Sequence, residues 1–443
     1  MLKWSGILTM LFSYACKAQT DSLASRSWSL HAQLTAIAQG HPAFRALYSG
    51  VNSLKNGAEP AAVSLTSTFF AAKRISPNGQ VIADAELSGG SGISATRGMA
   101  GFPNGETYRI GSPIPTLYLA RLYWQETFPL THSAYHLVPD DVNQIGGLQA
   151  DSRIVIIAGK FSNTDFFDNN SYSHDPRVQF LNWSLMSNGA WDYAANVRGY
   201  TYGVIAEWIT PSWDFKISGV LEPREANGKK MNTRILKSQG LTLEVGRRWN
   251  GTRPGGIRLL LFRNNTMAPG YAATLAQVSQ GDSSNLPIIS GNQNGVTYGG
   301  IKYGYAFNFE QNLSDHISGF FKTSRNDGKF ASWAFTEIDQ SVSSGLLLQA
   351  AFLHRKKDQI GLAEVFNGIS RDHREFLKRG FDGFLLGDGN LNYGSESITE
   401  LYYLARINRY LFITEDNQWV QNPGYNRDRG SVFLYGLRLH LQW

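Results

Sequence analysis

The stretch SVFLYGLRLHLQW, Ser431 to Trp443, decides the fold. Phe433, Tyr435, Leu437, Leu439, Leu441 and Trp443 fall on one face of an extended chain; Arg438, His440 and Gln442 fall on the other. Successive side chains of a strand point to opposite sides, so this period of two reads as a strand with one apolar and one polar face. In a soluble sheet such a wholly aliphatic and aromatic face is rarely left uncovered. A transmembrane barrel strand has such a face because lipid covers it, while water in the lumen meets the other.

The whole chain agrees with that reading. It has 443 residues, of which 42% are hydrophobic and 13% aromatic, with 45 glycines. No run approaches the ~20 apolar residues of a spanning helix. Middling hydrophobicity with many aromatics suits a barrel, whose apolar positions alternate with lumen-facing polar ones and whose rims carry aromatic girdles. A large secreted β-protein that binds or hydrolyses carbohydrate is the competing class.

Residues 1–18 read as a secretory leader: Lys3 supplies a positive start, Trp4 to Ala15 an apolar core, and Cys16-Lys17-Ala18 a small-residue end before Gln19. Residues 19–443 then form a single barrel domain. Cleavage after Ala18 removes Cys16, the only cysteine, so the mature chain has no disulfide or thiol chemistry. A lipid-anchored Cys16 is the alternative, but Ser13-Tyr14-Ala15 is a poor lead-in for it. Cleavage also takes Lys3 and Lys17, lowering the formal +6 by two charges. Such a small excess, without clustered basic residues, is no nucleic-acid footprint.

Alternation marks strands along the rest of the chain. Ser67–Ile75 and Gln80–Ser88 flank a Pro77-Asn78-Gly79 turn, and Thr201–Thr210 and Trp213–Glu222 flank Pro211-Ser212. Leu117–Thr127 places Tyr118, Ala120, Leu122 and Trp124 on one face and Arg121 on the other. Lys329–Ile338 and Phe381–Leu386 also read as strands, Gly40–Val63 as a loop or short helix, and Ile369–Lys378 as a helix outside the wall. These assignments give eighteen candidate strands, an even number that returns both termini to the periplasmic side.

Several runs resemble a known family. Gly101-Phe102-Pro103-Asn104-Gly105-Glu106, Ala158-Gly159-Lys160-Phe161 with Asp168-Asn169-Asn170, and Asn188-Gly189-Ala190-Trp191-Asp192-Tyr193 are similar to the carbohydrate-selective porins of the OprB type. So are Gly387-Asp388-Gly389, Leu391-Asn392-Tyr393-Gly394 and Asn422-Pro423-Gly424-Tyr425-Asn426 with Asp428-Arg429-Gly430. The resemblance implies a 16-stranded outer-membrane barrel, monomeric or trimeric. It further implies passive diffusion of sugars past a constriction of arginines and acidic residues. Its partners would be sugars, outer-membrane lipids and the barrel assembly machinery, with Trp443 as the assembly signal.

A sugar channel needs planar hydrogen-bonding groups in its lumen, because each hydroxyl stripped of water must find a replacement partner. Alternation turns Arg121, Glu207, Asp214 and Lys216 inward, where the bland reading is a wall-to-wall ion pair. The segment Phe161 to Tyr200 has no lasting period and is the candidate inward-folded constriction loop, carrying Asp165, Asp168, His174, Arg177, Asp192 and Arg198. Arg109 in the preceding long loop is a further path candidate. No Gly-x-Ser-x-Gly, His-Glu-x-x-His or phosphate loop is present, and the nine histidines lack ligand spacing. The sequence therefore predicts neither an enzyme nor a metal or cofactor.

Overall fold

The computed structural model describes residues 26–106 and 114–443; the leader and Arg109 lie outside them. Sixteen antiparallel strands close into one barrel. In chain order the first are β1 (Trp28–His41), β2 (Glu59–Arg74), β3 (Gly79–Gly90) and β4 (Thr116–Pro129). A small hairpin of β5 (Tyr135–Val138) and β6 (Gly147–Ala150) pairs only with itself. The wall continues with β7 (Arg153–Phe161), β8 (Thr201–Ile209), β9 (Trp213–Leu221), β10 (Gln239–Trp249), β11 (Gly255–Thr266) and β12 (Gly300–Asn312). It ends with β13 (Ile317–Asn326), β14 (Gln340–Gln349), β15 (Gln359–Gly368), β16 (Glu396–Arg406), β17 (Leu411–Gln421) and β18 (Val432–Gln442).

The last strand closes the sheet on the first, from Gly40 opposite Tyr435 to Gln33 opposite Gln442, so no edge is left unpaired. Phe433, Tyr435 and Leu437 are exposed on its outer face, while Arg438 and His440 are buried inside. Trp208, Phe215 and Trp213 stack on the outer face around the β8–β9 turn, with centroids 5.2 and 6.3 Å apart. Aromatic rings at that level match the girdle of a membrane barrel.

Four sequence expectations change. Lys329–Ile338 is not a strand: Ala331, Trp333, Ala334, Phe335 and Ile338 are buried in a loop between β13 and β14. Phe381–Leu386 is likewise a loop, with Phe384, Leu385 and Leu386 buried. Both apolar runs pack against other loops inside the mouth rather than against lipid, which brings eighteen strands to sixteen. β2 begins at Glu59, within the stretch read as a loop or short helix.

The fourth change lies in β4. Its register on β3 slips by one residue, Asp84 facing Arg121 but Ala85 facing Leu119. Such a bulge reverses the parity of everything before it. Leu117 and Leu119 are the exposed residues there, and Tyr118 turns inward with Arg121. The helix expected near Ile369–Lys378 spans Arg371–Lys378, capped by Ser370 Oγ accepting from His373 N at 3.1 Å.

The outer mouth has a hydrophobic core of its own. Phe102, Trp183, Tyr193 and Phe335 come from three different loops and stack in series, with successive centroids 5.1, 6.3 and 5.1 Å apart. Folded loops thus fill part of the barrel's interior.

Candidate functional site

The segment between β7 and β8, residues 162–200, crosses the barrel, and polar side chains of the wall hold it. Lys216 on β9 donates to Phe166 O at 2.6 Å, and Glu244 on β10 accepts from Asp168 N at 2.7 Å. Asn308 on β12 donates to Asp168 Oδ1 at 2.8 Å, and Lys322 on β13 to Ser173 O at 2.5 Å. On the far side Glu400 of β16 accepts from Leu181 N and Asn182 N at 2.5 and 2.9 Å. Arg438 of β18 donates to Gln179 O at 2.9 Å. Buried backbone amides and carbonyls need partners, and inward-facing wall side chains are the groups within reach.

Where the segment leaves the wall, Asp165 accepts from Ser162 N at 3.1 Å and turns its carboxylate toward β4. Arg121 meets it with two parallel bonds, Nε to Oδ2 at 2.7 Å and Nη2 to Oδ1 at 2.6 Å, and gives Nη1 to Asp84 of β3 at 3.0 Å. The Arg121 guanidinium also lies 5.4 Å from the centroid of Tyr200. Tyr200 donates its hydroxyl to Glu86 at 3.0 Å, as does Tyr118. Arg198 lies 3.8 Å over the Tyr118 ring. Next to this group Arg177 Nε binds Glu106 at 3.0 Å.

The result is a patch of guanidinium planes, phenol rings and carboxylates on β3 and β4 and the facing loop. The side chains of Arg121, Asp165 and Arg177 keep 12%, 21% and 21% of their surface exposed, so the patch is anchored yet reachable. Planar donors in fixed orientation suit hydroxyl-rich solutes.

The predicted residues fall into three places. Arg121, Asp165 and Arg198 belong to this patch. Glu207, Asp214 and Lys216 form a second group on β8 and β9: Glu207 faces Lys216 across the strands, and Lys216 Nζ lies 3.2 Å from Glu244 and 3.8 Å from Asp214. Asp192 belongs to neither. It is 1% exposed, accepts from Trp333 N, Ala334 N, Phe335 N and Thr336 N at 2.8, 3.1, 2.8 and 3.3 Å, and lies 3.4 Å from Lys302 Nζ. That carboxylate anchors the loop between β13 and β14.

Sequence reasoning passed over Asp84, Glu86, Tyr118 and Tyr200. Alternation within Gln80–Ser88 carries Asp84 and Glu86 on one face and was enough to find them. Tyr118 was hidden by the bulge, and Tyr200 ends a segment without periodicity. Among the described residues no group of three or more His, Cys, Asp or Glu side chains is placed to hold a metal.

Comparison with known proteins decides the family. The model of the carbohydrate-selective porin family, OprB, matches residues 72–443. The chain belongs to that family. Among solved structures this porin is similar to Pseudomonas putida OprB at high pH, with 15% identity over 99% of this chain and 97% of that one, and a TM-score of 0.68. Weaker likenesses include the Acinetobacter baumannii channel DcaP (10% identity, 95% and 100% coverage, TM-score 0.48) and a loop-deletion mutant of Vibrio cholerae OmpT (10%, 94% and 99%, 0.48). A search of curated proteins finds no sequence match. The chain is an outer-membrane carbohydrate channel.

Proposed function

We propose that sugars and small ions diffuse passively through this porin along the patch of Arg121, Asp165, Arg198, Tyr118 and Tyr200, with Glu207, Asp214 and Lys216 as a second charged station. The observation that carries this reading is the pairing of fixed guanidinium planes with ring faces, Arg198 over Tyr118 at 3.8 Å and Arg121 beside Tyr200 at 5.4 Å. A diffusing sugar exchanges water for these donors in steps too weak to trap it.

Asp192 does not serve as a glycosidase carboxylate, since four backbone amides already occupy it. Export with removal of residues 1–18 and assembly through a strand ending on Trp443 complete the reading. Purified porin in planar bilayers tests it: ion current should fall in a saturable way as mono- and oligosaccharides are titrated. Current insensitive to every sugar tried would refute it. Mass spectrometry of the mature chain should find Gln19 first, and a lipidated Cys16 would overturn the leader assignment.

A further inference from the structure

Short connections such as residues 75–78 and 210–212 mark the periplasmic end of the barrel. Residues 130–152, between β4 and β7 at that same end, carry the β5–β6 hairpin instead of a tight turn. Its base is closed by Leu130 N donating to Ser152 O at 2.9 Å and Asp151 N to Ala134 O at 2.8 Å. Beyond the base, the apolar face of the ribbon lies open, with Tyr135, Leu137 and Leu148 all exposed. Among the described residues no main-chain hydrogen bond joins residues 135–149 to a wall strand. A two-stranded ribbon has little stability of its own, so its position depends on what seats its tip.

The tip enters the lumen. Ile145 is 4% exposed and shares a buried cluster with Phe70 and Ala72 of β2, Ile82 of β3 and Tyr123 of β4, which are inward-facing residues of the wall. Asp140 makes the polar half of the seat. Its Oδ1 accepts from Gly146 N at 3.2 Å and shapes the turn, while its Oδ2 accepts from Arg26 Nη1 at 2.8 Å. The same oxygen lies 3.4 Å from His31 Nε2, and the His31 ring lies 5.9 Å from that of Phe70 inside the barrel. Tyr123 in turn meets Phe161 and Phe166 edge-on at 6.5 and 5.9 Å, and Phe166 follows Asp165, the partner of Arg121. The tip therefore occupies lumen on the periplasmic side of the arginine and phenol patch.

We propose that the β5–β6 hairpin is a hinged gate on the periplasmic exit, turning at Leu130 and Ser152 and latched by Asp140 on Arg26 and by Ile145 in the lumen. One partly exposed ion pair and one aliphatic side chain form a reversible hold, whereas the wall is closed by continuous ladders. Segments with few buried apolar contacts and no main-chain bonds to their surroundings are the ones that open locally. Lifting the tip breaks no strand pairing of the barrel, because β5 pairs with β6 alone. It empties the space beside Tyr123 and widens the way out.

Single-channel recording in planar bilayers tests this in salt alone, so the outcome does not depend on where sugars pass. The parent porin should step briefly from a lower to a higher current level. Asp140→Asn combined with Ile145→Ser should lengthen the time at the higher level about tenfold or more, since a charged hydrogen bond and a buried side chain are lost. Replacing residues 131–151 by Asn-Gly, a turn suited to two adjacent chain ends, should leave a heat-modifiable barrel held at the higher level. A folded deletion variant with the parent's current would overturn the proposal. So would a double variant that behaves as the parent does, which makes the hairpin a fixed plug, or loss of the barrel on deletion, which makes it part of the scaffold.

Discussion

Replacing Asp192 by Ala removes the anchor of the loop between β13 and β14, together with the carboxylate that faces Lys302 of β12. The carboxylate receives two bonds of 2.8 Å from Trp333 N and Phe335 N, two longer ones from Ala334 N and Thr336 N, and the charge of Lys302. Hydrogen bonds to a buried charge contribute about 1.5–3 kcal/mol each. Counting only the two short ones, local opening of the loop becomes easier by roughly 3–6 kcal/mol, or about a hundred- to ten-thousand-fold. The sheet ladders stay intact, so the barrel itself persists. Hydrogen exchange at Trp333, Ala334, Phe335 and Thr336 in detergent should accelerate by that factor while the barrel remains heat-modifiable. Asp192→Asn, which keeps one acceptor, should fall between. Exchange within about threefold of the parent, or loss of the barrel, would refute the assignment of Asp192 as a local anchor.

Three further expectations follow from the same geometry. Trp443→Ala should lower the amount of folded porin in the outer membrane with leader removal unaffected; unchanged heat-modifiable barrel by gel would contradict it. Gly383 leaves no room for a side chain, since a Cβ there would clash with Glu337 Oε1, part of the carboxylate that binds Leu385 N and Leu386 N at 2.9 and 2.7 Å. Gly383→Ala should therefore raise exchange at Leu385 and Leu386 with the wall unaffected. Asp339, although burial pushes it upward, is held below the ordinary 3.8 by the hydrogen bond and charge of His373. A depressed carboxylate stabilises above its unfolded value and loses that contribution as pH falls through the folded one. Exchange at Ser370, whose amide Asp339 accepts at 2.8 Å, should be flat from neutral pH to about 5 once corrected for intrinsic rates, and rise only below 3.8.

What was legible in the sequence is what lipid enforces. The wall strands alternate because one face meets hydrocarbon, and β8, β9, β12 and β18 show the faces the alternation predicts. Loops folded into the lumen obey no such period. Trp333, Phe335 and Leu385 bury themselves against other loops, so their apolar runs imitate strands. A single bulge at Asp84 and Ala85 was enough to send Tyr118 to the wrong face. Arg121 was readable as inward, yet its pair of hydrogen bonds to Asp165 depends on the path of a segment that only tertiary contacts determine. For that reason Arg121→Ala is a poor probe of conduction: it also strips the partner from buried Asp84.

Arg198, which lies over Tyr118 at 3.8 Å in the proposed path, is the probe used instead. The most direct measurement is sugar-dependent block of ion current in planar bilayers, comparing the parent porin with Arg198→Gln. One charged hydrogen-bonding group removed from the path costs about 1.5 kcal/mol in the bound state, so the block should weaken roughly tenfold and selectivity should move toward cations. A block and selectivity that match the parent, in a variant that folds and conducts, would place the carbohydrate path elsewhere in the barrel.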